Sequence, residues 1–270
     1  RHPIEMLEKE QPDAVICCPS FDNVYDVASK LIPYGVPLLL EKPPGVSVKE
    51  ARGLAQLAET SGTPVMVGMN RRHYSVIDKA LAELGGLRAV TAVFVEWSED
   101  PAHLLGNRKM SSEQVEKMIF GNSLHGLDLL SFLSGDISRL NLNTIVVNRE
   151  RFRWMMVAQG VSDRGVLASF QSTWDCPGGW RLPLCGNGKR FVYSPLERCL
   201  VIERGNLDRI LKNDEVDDRF KPGLHKQASC FLQIAEKREV QNSFGLDTVI
   251  PAIQLAERLT KGCLDEEIHQ

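Results

Sequence analysis

The chain has 270 residues, 43% of them hydrophobic, 25% charged and 7% aromatic, with a formal net charge of -3. These values match an ordinary globular protein and exclude disordered, collagen-like and low-complexity chains. A near-balanced charge without a Lys/Arg block gives no electrostatic reason for a nucleic-acid or anionic-membrane partner, and apolar runs of about five residues fall far short of a bilayer-spanning helix.

Residues 4–10, with Ile4 and Leu7 on one side, read as the end of a helix. Residues 13–18 form a continuous apolar run closed by Pro19 and Ser20, which suits a strand buried on both faces. Val24, Val27, Ala28, Leu31 and Ile32 recur at helical spacing until Pro33 and Gly35 stop them. Residues 36–40 read as a second strand, ended by Glu41, Lys42, Pro43 and Pro44. Ser47 and Glu50 have the spacing of a capping box ahead of Ala51, Leu54, Ala55 and Ala58, with Gly62 at the far end. Residues 64–68 read as a third strand. Alternation with short loops requires parallel pairing and right-handed crossovers.

That is half of a doubly wound sheet, a fold normally built from two such halves. With three strands alone, residues 13–18 are expected to show an apolar edge and bare faces. The first residue is Arg1 rather than Met, and the expectation is that roughly sixty residues upstream complete the fold.

The pattern changes after Arg72. A helix over 76–84 ends at Gly85 and Gly86, and strand character follows at 87–96, 138–147, 153–159, 165–174, 189–193 and 199–203. Helices are expected at 123–134, 222–237 and 248–261, the last capped by Asp247. The fold class is therefore α/β: a partial doubly wound parallel sheet in residues 1–72, then an α+β domain with an open, mainly antiparallel sheet in 73–270. Seven cysteines without a Cys-x-x-Cys pair, including adjacent Cys17 and Cys18, read as reduced thiols of a cytoplasmic protein.

Two groups of residues carry chemistry. Lys42 follows the second strand, and open α/β sheets bind ligands outside the carboxyl ends of their strands. Pro43 biases Lys42 toward extended backbone, so either the ammonium is aimed from the sheet top or it is a solvated surface lysine. His125 and Asp128, three residues apart, share a helix face; His125 is either a general base or a structurally hydrogen-bonded histidine. Trp174 and Trp180 read as sugar-stacking faces or as packing residues. Asn187 and Gly188, between strands, read as a hairpin turn rather than a phosphate loop. His2, His73, His103, His225 and His269 have no metal-ligand spacing, and no metal site is expected.

Taken together, Pro12-Asp-Ala-Val-Ile-Cys-Cys-Pro19, Gly35-Val-Pro-Leu-Leu-Leu-Glu-Lys-Pro43 and Pro64-Val-Met-Val-Gly-Met-Asn-Arg-Arg72, followed by His125-x-x-Asp128, resemble the glucose-fructose oxidoreductase and inositol dehydrogenase family, Gfo/Idh/MocA. The resemblance runs from about Pro12 to the end. It implies a Rossmann domain binding NAD or NADP, and a second domain whose open sheet makes homodimers or homotetramers. The implied reaction is hydride exchange between nicotinamide and a hydroxyl or keto carbon of a sugar, cyclitol or nucleotide sugar. By the same resemblance Lys42 and His125 are catalytic, Pro19, Ser20, Glu41, Lys42 and Pro43 line the cofactor, and Arg71, Asn122 and Asp128 adjoin the substrate. The sequence departs from the family pattern at Gly121, where an Asp is usual, and at Asn23, where a His is frequent. It contains no Gly-x-Gly-x-x-Gly, so weak binding of the adenosine and pyrophosphate is expected. The rival expectation is a non-catalytic sugar-binding or oligomerisation protein derived from this family, and a further one a half-fold completed by a partner chain.

Overall fold

A computed structural model describes residues 3–174, 176–237 and 244–265. Arg1, His2 and His269 lie outside the described residues. The chain starts with α1 (Pro3–Glu10), β1 (Val15–Cys17), α2 (Val24–Leu31), β2 (Leu38–Leu40), α3 (Val48–Ser61) and β3 (Val65–Val67). The three strands pair in parallel in the order β1-β2-β3, with Val15 opposite Leu38 and Leu38 opposite Val65. Ser47 caps α3 by accepting from the Glu50 N–H at 3.2 Å, while the Glu50 carboxylate takes the Val46 N–H at 2.7 Å rather than that of Ser47. The expected capping box is thus displaced by one residue on its return arm.

Alternation along each strand gives the small sheet two apolar faces. One face, with Val15, Cys17, Leu38 and Leu40, packs in the main core with Val24, Ala28 and Leu54. The other presents Leu39 and Met66, which pack on Phe231 and Ile234 of α9 (Leu224–Lys237). Burial of an apolar side chain of this size stabilises by about 2 kcal/mol, so α9 returning from the far end of the chain is what covers this face. The face is thus covered over β2 and β3, whereas on β1, where a bare face was expected, Ile16 is 64% exposed.

Residues 75–211 add α4 (Ser75–Leu84), β4 (Val90–Ser98), two short helices α5 (Pro101–Gly106) and α6 (Ser112–Glu116), α7 (Leu124–Ser134), β5 (Asn141–Asn148), β6 (Arg153–Val161), β7 (Leu167–Thr173), β8 (Gly179–Gly186), β9 (Lys189–Tyr193), β10 (Cys199–Glu203) and β11 (Arg209–Leu211). The chain then runs through α8 (Glu215–Arg219) and α9 to α10 (Ile250–Asp265). The eight strands form one sheet in the order β11-β10-β9-β8-β4-β7-β6-β5. Every neighbouring pair is antiparallel except β4 with β7. Asn187 and Gly188 both take positive φ in the β8–β9 hairpin, the conformation for which Asn-Gly is suited.

One face of this sheet packs on α7 and α10. It carries Val93, Val95, Trp97, Trp154, Met156, Ala158 and Phe170, all buried. Trp174 also lies fully buried, stacked on Trp154 at 4.9 Å, so it is a packing residue and not a sugar platform. Along β5 to β7 the opposite face aligns Ile145 with Met155 and Val161 with Leu167, each at least a third exposed.

The expected cap of the last helix is corrected. Asp247 lies inside a 3-10 turn, Leu246–Val249, and α10 begins at Ile250. Thr248 closes that turn by donating its N–H and hydroxyl to the Gly245 carbonyl at 3.2 and 2.8 Å, and Gly245 stands at the cap position.

Candidate active site

The carboxyl ends of β1, β2 and β3 lie along one edge. Beyond β1, Pro19 is half-buried and Ser20 exposed, its hydroxyl accepting from the Asn23 amide at 2.7 Å. Beyond β2, the Glu41 N–H continues the ladder to the Cys17 carbonyl at 2.9 Å. The next bond, Lys42–Pro43, is cis, and Pro43 is buried. Lys42 is not a solvated surface lysine: it is half-buried, and its Nζ donates to the Gly121 carbonyl.

Gly121 belongs to a π-helical turn, Ile119–Ser123, that runs directly into α7. Such turns insert an extra residue into a helix and recur at functional sites. His125 stands on the first turn of α7, 4% exposed, with its ring 6.5 Å from that of Trp97. The next residue has to be Gly126, because a Cβ there would lie 2.6 Å from the Trp97 ring. The close approach of α7 to β4 that seats His125 thus depends on a missing side chain.

Electrostatics at this point follow from burial. His125 is pushed well below its ordinary pKa by burial, with Arg71, Lys42 and Lys221 adding to the effect, so it is a neutral imidazole near pH 7. Its Nδ1 is buried without a hydrogen-bond partner. Burial also lowers Lys42; Glu41 and Glu99 favour its ammonium, while Arg71 and Lys221 oppose it. Burial raises Glu41 and Glu99. The Arg71 guanidinium lies over Trp97 and Trp180, at 5.3 and 4.8 Å from their ring centres, with Nε unpartnered.

The structure brings Lys42, Glu41, Arg71, Asn122 and His125 into one neighbourhood. It seats Asp128 differently from the others. Its carboxylate is 1% exposed on the next turn of α7, where Arg72 grips both oxygens, Nε to Oδ2 at 2.8 Å and Nη2 to Oδ1. The same guanidinium reaches the Thr248 hydroxyl and carbonyl at 3.0 and 3.1 Å. Asp128 is thereby committed to an internal pair.

Three participants escaped the sequence reading: Arg72, Glu99 and Lys221. Glu99 follows the last residue of β4, and the strand-end rule that singled out Lys42 applies to it equally. Lys221 precedes Pro222 just as Lys42 precedes Pro43. Arg72 carried no signal, since its partner lies 56 residues away.

A cavity of about 730 Å³ opens beside these groups, with Lys42, Glu99, Gly121, Asn122 and Trp180 on its wall. An ammonium, an acceptor-capable buried imidazole and a half-exposed indole suit the nicotinamide end of a dinucleotide together with a hydroxylated substrate. The described residues include no group of three His, Cys, Asp or Glu able to hold a metal ion. Among them, no helix is long and apolar enough to cross a membrane.

Comparison with known proteins agrees with this geometry. Residues 2–69 match the model of the Gfo/Idh/MocA oxidoreductase family, NAD-binding Rossmann fold. No curated protein matches the chain. Among solved structures, a dehydrogenase from Chromobacterium violaceum superposes with a TM-score of 0.82 at 15% identity, over 98% of this chain and 80% of that one. A Gfo/Idh/MocA family oxidoreductase from Vibrio cholerae gives 0.71 at 17% identity, over 97% and 80%. The UDP-N-acetylglucosamine 3-dehydrogenase GnnA from Acidithiobacillus ferrooxidans gives 0.74 at 17% identity, over 94% and 79%. Residues 2–69 are thus similar to the NAD-binding domain of the Gfo/Idh/MocA oxidoreductases, and over its length the chain shares the fold of solved structures of such enzymes.

Proposed function

We propose that the chain is an NAD(P)-dependent dehydrogenase acting on a hydroxyl or keto carbon of a sugar, cyclitol or nucleotide sugar. The observation that carries this reading is the convergence of Lys42, from the end of β2, and His125, on α7, beside a cavity with Trp180 on its wall. The nucleotide-sugar dehydrogenase among its structural neighbours supports the substrate class.

A nicotinamide held at the strand ends would supply or accept the hydride. Lys42 donates a hydrogen bond to the reacting oxygen, and its charge favours the deprotonated form of that oxygen. His125, held neutral, takes the hydroxyl proton in oxidation and returns it in reduction. Pro19, Ser20, Glu41 and Pro43, at the strand ends, would hold the nicotinamide and its ribose, and Arg71 and Asn122 would adjoin the substrate. The non-catalytic alternative has no observation in its favour.

The test is incubation with NAD or NADP and a panel of sugars, cyclitols and nucleotide sugars, following nicotinamide absorbance. Reduction by at least one substrate is expected, with deuterium passing from the oxidised carbon to the nicotinamide. No change in nicotinamide absorbance with any member of the panel, at millimolar NAD and NADP, overturns the reading.

We further propose that a second copy of the chain covers the open face of the large sheet. Val161 and Leu167 lie opposite each other there, 66% and 46% exposed, and the Glu96–Arg181 pair at 3.0 Å lies farther along the same face. A row of exposed apolar side chains on a sheet of this size is the kind of surface that a protein partner covers. Light scattering is expected to give a dimer or tetramer that Leu167→Arg shifts to monomer. A monomeric wild type overturns this.

A further inference from the structure

Glu99 has no part in the reaction as written above, yet it is 5% exposed and sits at the cavity wall. Its Oε1 accepts from the Asn122 amide at 2.9 Å and from the Ser123 hydroxyl at 3.2 Å, and its Oε2 accepts from the same amide at 3.0 Å. Asn122 and Ser123 are the last two residues of the π turn. The Gly121 carbonyl that receives the Lys42 ammonium and the Asn122 N–H belong to one planar peptide unit. Pinning Asn122 therefore sets the plane of the carbonyl that aims Lys42, and pinning Ser123 sets the residue from which α7 and His125 start. A buried carboxylate without an ion pair is costly, so an apolar or neutral residue would serve mere packing better.

We propose that Glu99 is a positioning residue of the reaction centre, bracing the π turn so that Lys42 is held, charged and aimed, beside His125. The kinetic consequence rests on the dehydrogenase reading; the effect on Lys42 does not. The charged groups acting on Lys42 are Glu41 and Glu99, which favour its ammonium, and Arg71 and Lys221, which oppose it. Without the Glu99 charge, Glu41 is left alone against the two cations.

The test uses the full chain without cofactor. Amine-reactive labelling across a pH series, read at Lys42 by mass spectrometry, gives the midpoint at which its amine becomes nucleophilic. Glu99→Gln keeps the shape and one acceptor but loses the charge, and is expected to lower that midpoint by about one unit. Glu99→Asp is expected to restore most of it. In turnover, Glu99→Gln is expected to lower kcat by about 100-fold with a much smaller change in KM, as misplacement of a catalytic group does. An unchanged midpoint in a Glu99→Gln protein with wild-type thermal unfolding overturns the proposal, and so does a shifted midpoint with intact kcat. If the wild type turns over no substrate, the dehydrogenase reading fails while the labelling still decides whether Glu99 controls Lys42.

Discussion

His125→Asn is expected to lower kcat by about 10²- to 10⁴-fold, the usual worth of a positioned acid/base, while nicotinamide affinity changes by less than about tenfold. Asparagine keeps a polar head of similar reach on α7 but cannot exchange a proton, so a loss confined to kcat isolates proton transfer. Lys42→Met is expected to cost as much, by a different route. It removes the charge that favours the deprotonated oxygen and abandons the Gly121 carbonyl. The pH profile separates the two. Burial lowers both groups, His125 well below 6.5 and Lys42 below its ordinary value. A base must be deprotonated, so the wild-type acid limb of kcat/KM lies well below pH 6.5. The ammonium must be protonated, so the alkaline limb lies below the ordinary lysine range. Lys42→Met is expected to erase the alkaline limb and His125→Asn the acid one. Full activity in either variant overturns its assigned role.

The legible parts of this chain are those where one local rule decides the outcome. β9 and β10 are short runs rich in Phe, Val, Tyr and Ile, and the residues read as strands, 189–193 and 199–203, are those of the structure. β8 was not legible because Pro183 and two terminal glycines contradict strand composition, yet it is an interior strand, with Pro183 opposite Val192. The short helices α5, α6 and α8 are too brief for helical periodicity to show. At the site, a strand end and a helix face left Lys42 and His125 open between a functional and a structural role, and the family resemblance alone made them catalytic. The neighbourhood that gives them chemistry was not. Arg71 beside His125, Glu99 beneath the π turn and α9 across the small sheet are contacts between residues far apart in sequence, and local periodicity does not report them.

Arg72 and Asp128 carry the largest stability effect. Both side chains are nearly inaccessible, 3% and 1% exposed, and burial pushes the Asp128 carboxyl up while the guanidinium opposes it. Removing one partner leaves the other buried and uncompensated, so Arg72→Leu and Asp128→Leu are each expected to cost about 3–5 kcal/mol in urea unfolding. Arg72→Leu is the worse of the two, because it also strips the Thr248 hydroxyl and carbonyl of their donor at the turn before α10. The double variant is expected to lose less than Arg72→Leu alone, since two apolar side chains leave no unpaired charge. The outcome bears on the active site. Arg72 follows the end of β3, and Asp128 lies one turn after His125, so this pair ties the sheet that carries Lys42 to the helix that carries His125. Asp128→Asn, which keeps a hydrogen bond and loses the charge, should therefore weaken unfolding stability and kcat together and leave KM nearly unchanged. A raised KM with undiminished stability would instead make Asp128 a substrate contact, as the family resemblance implied.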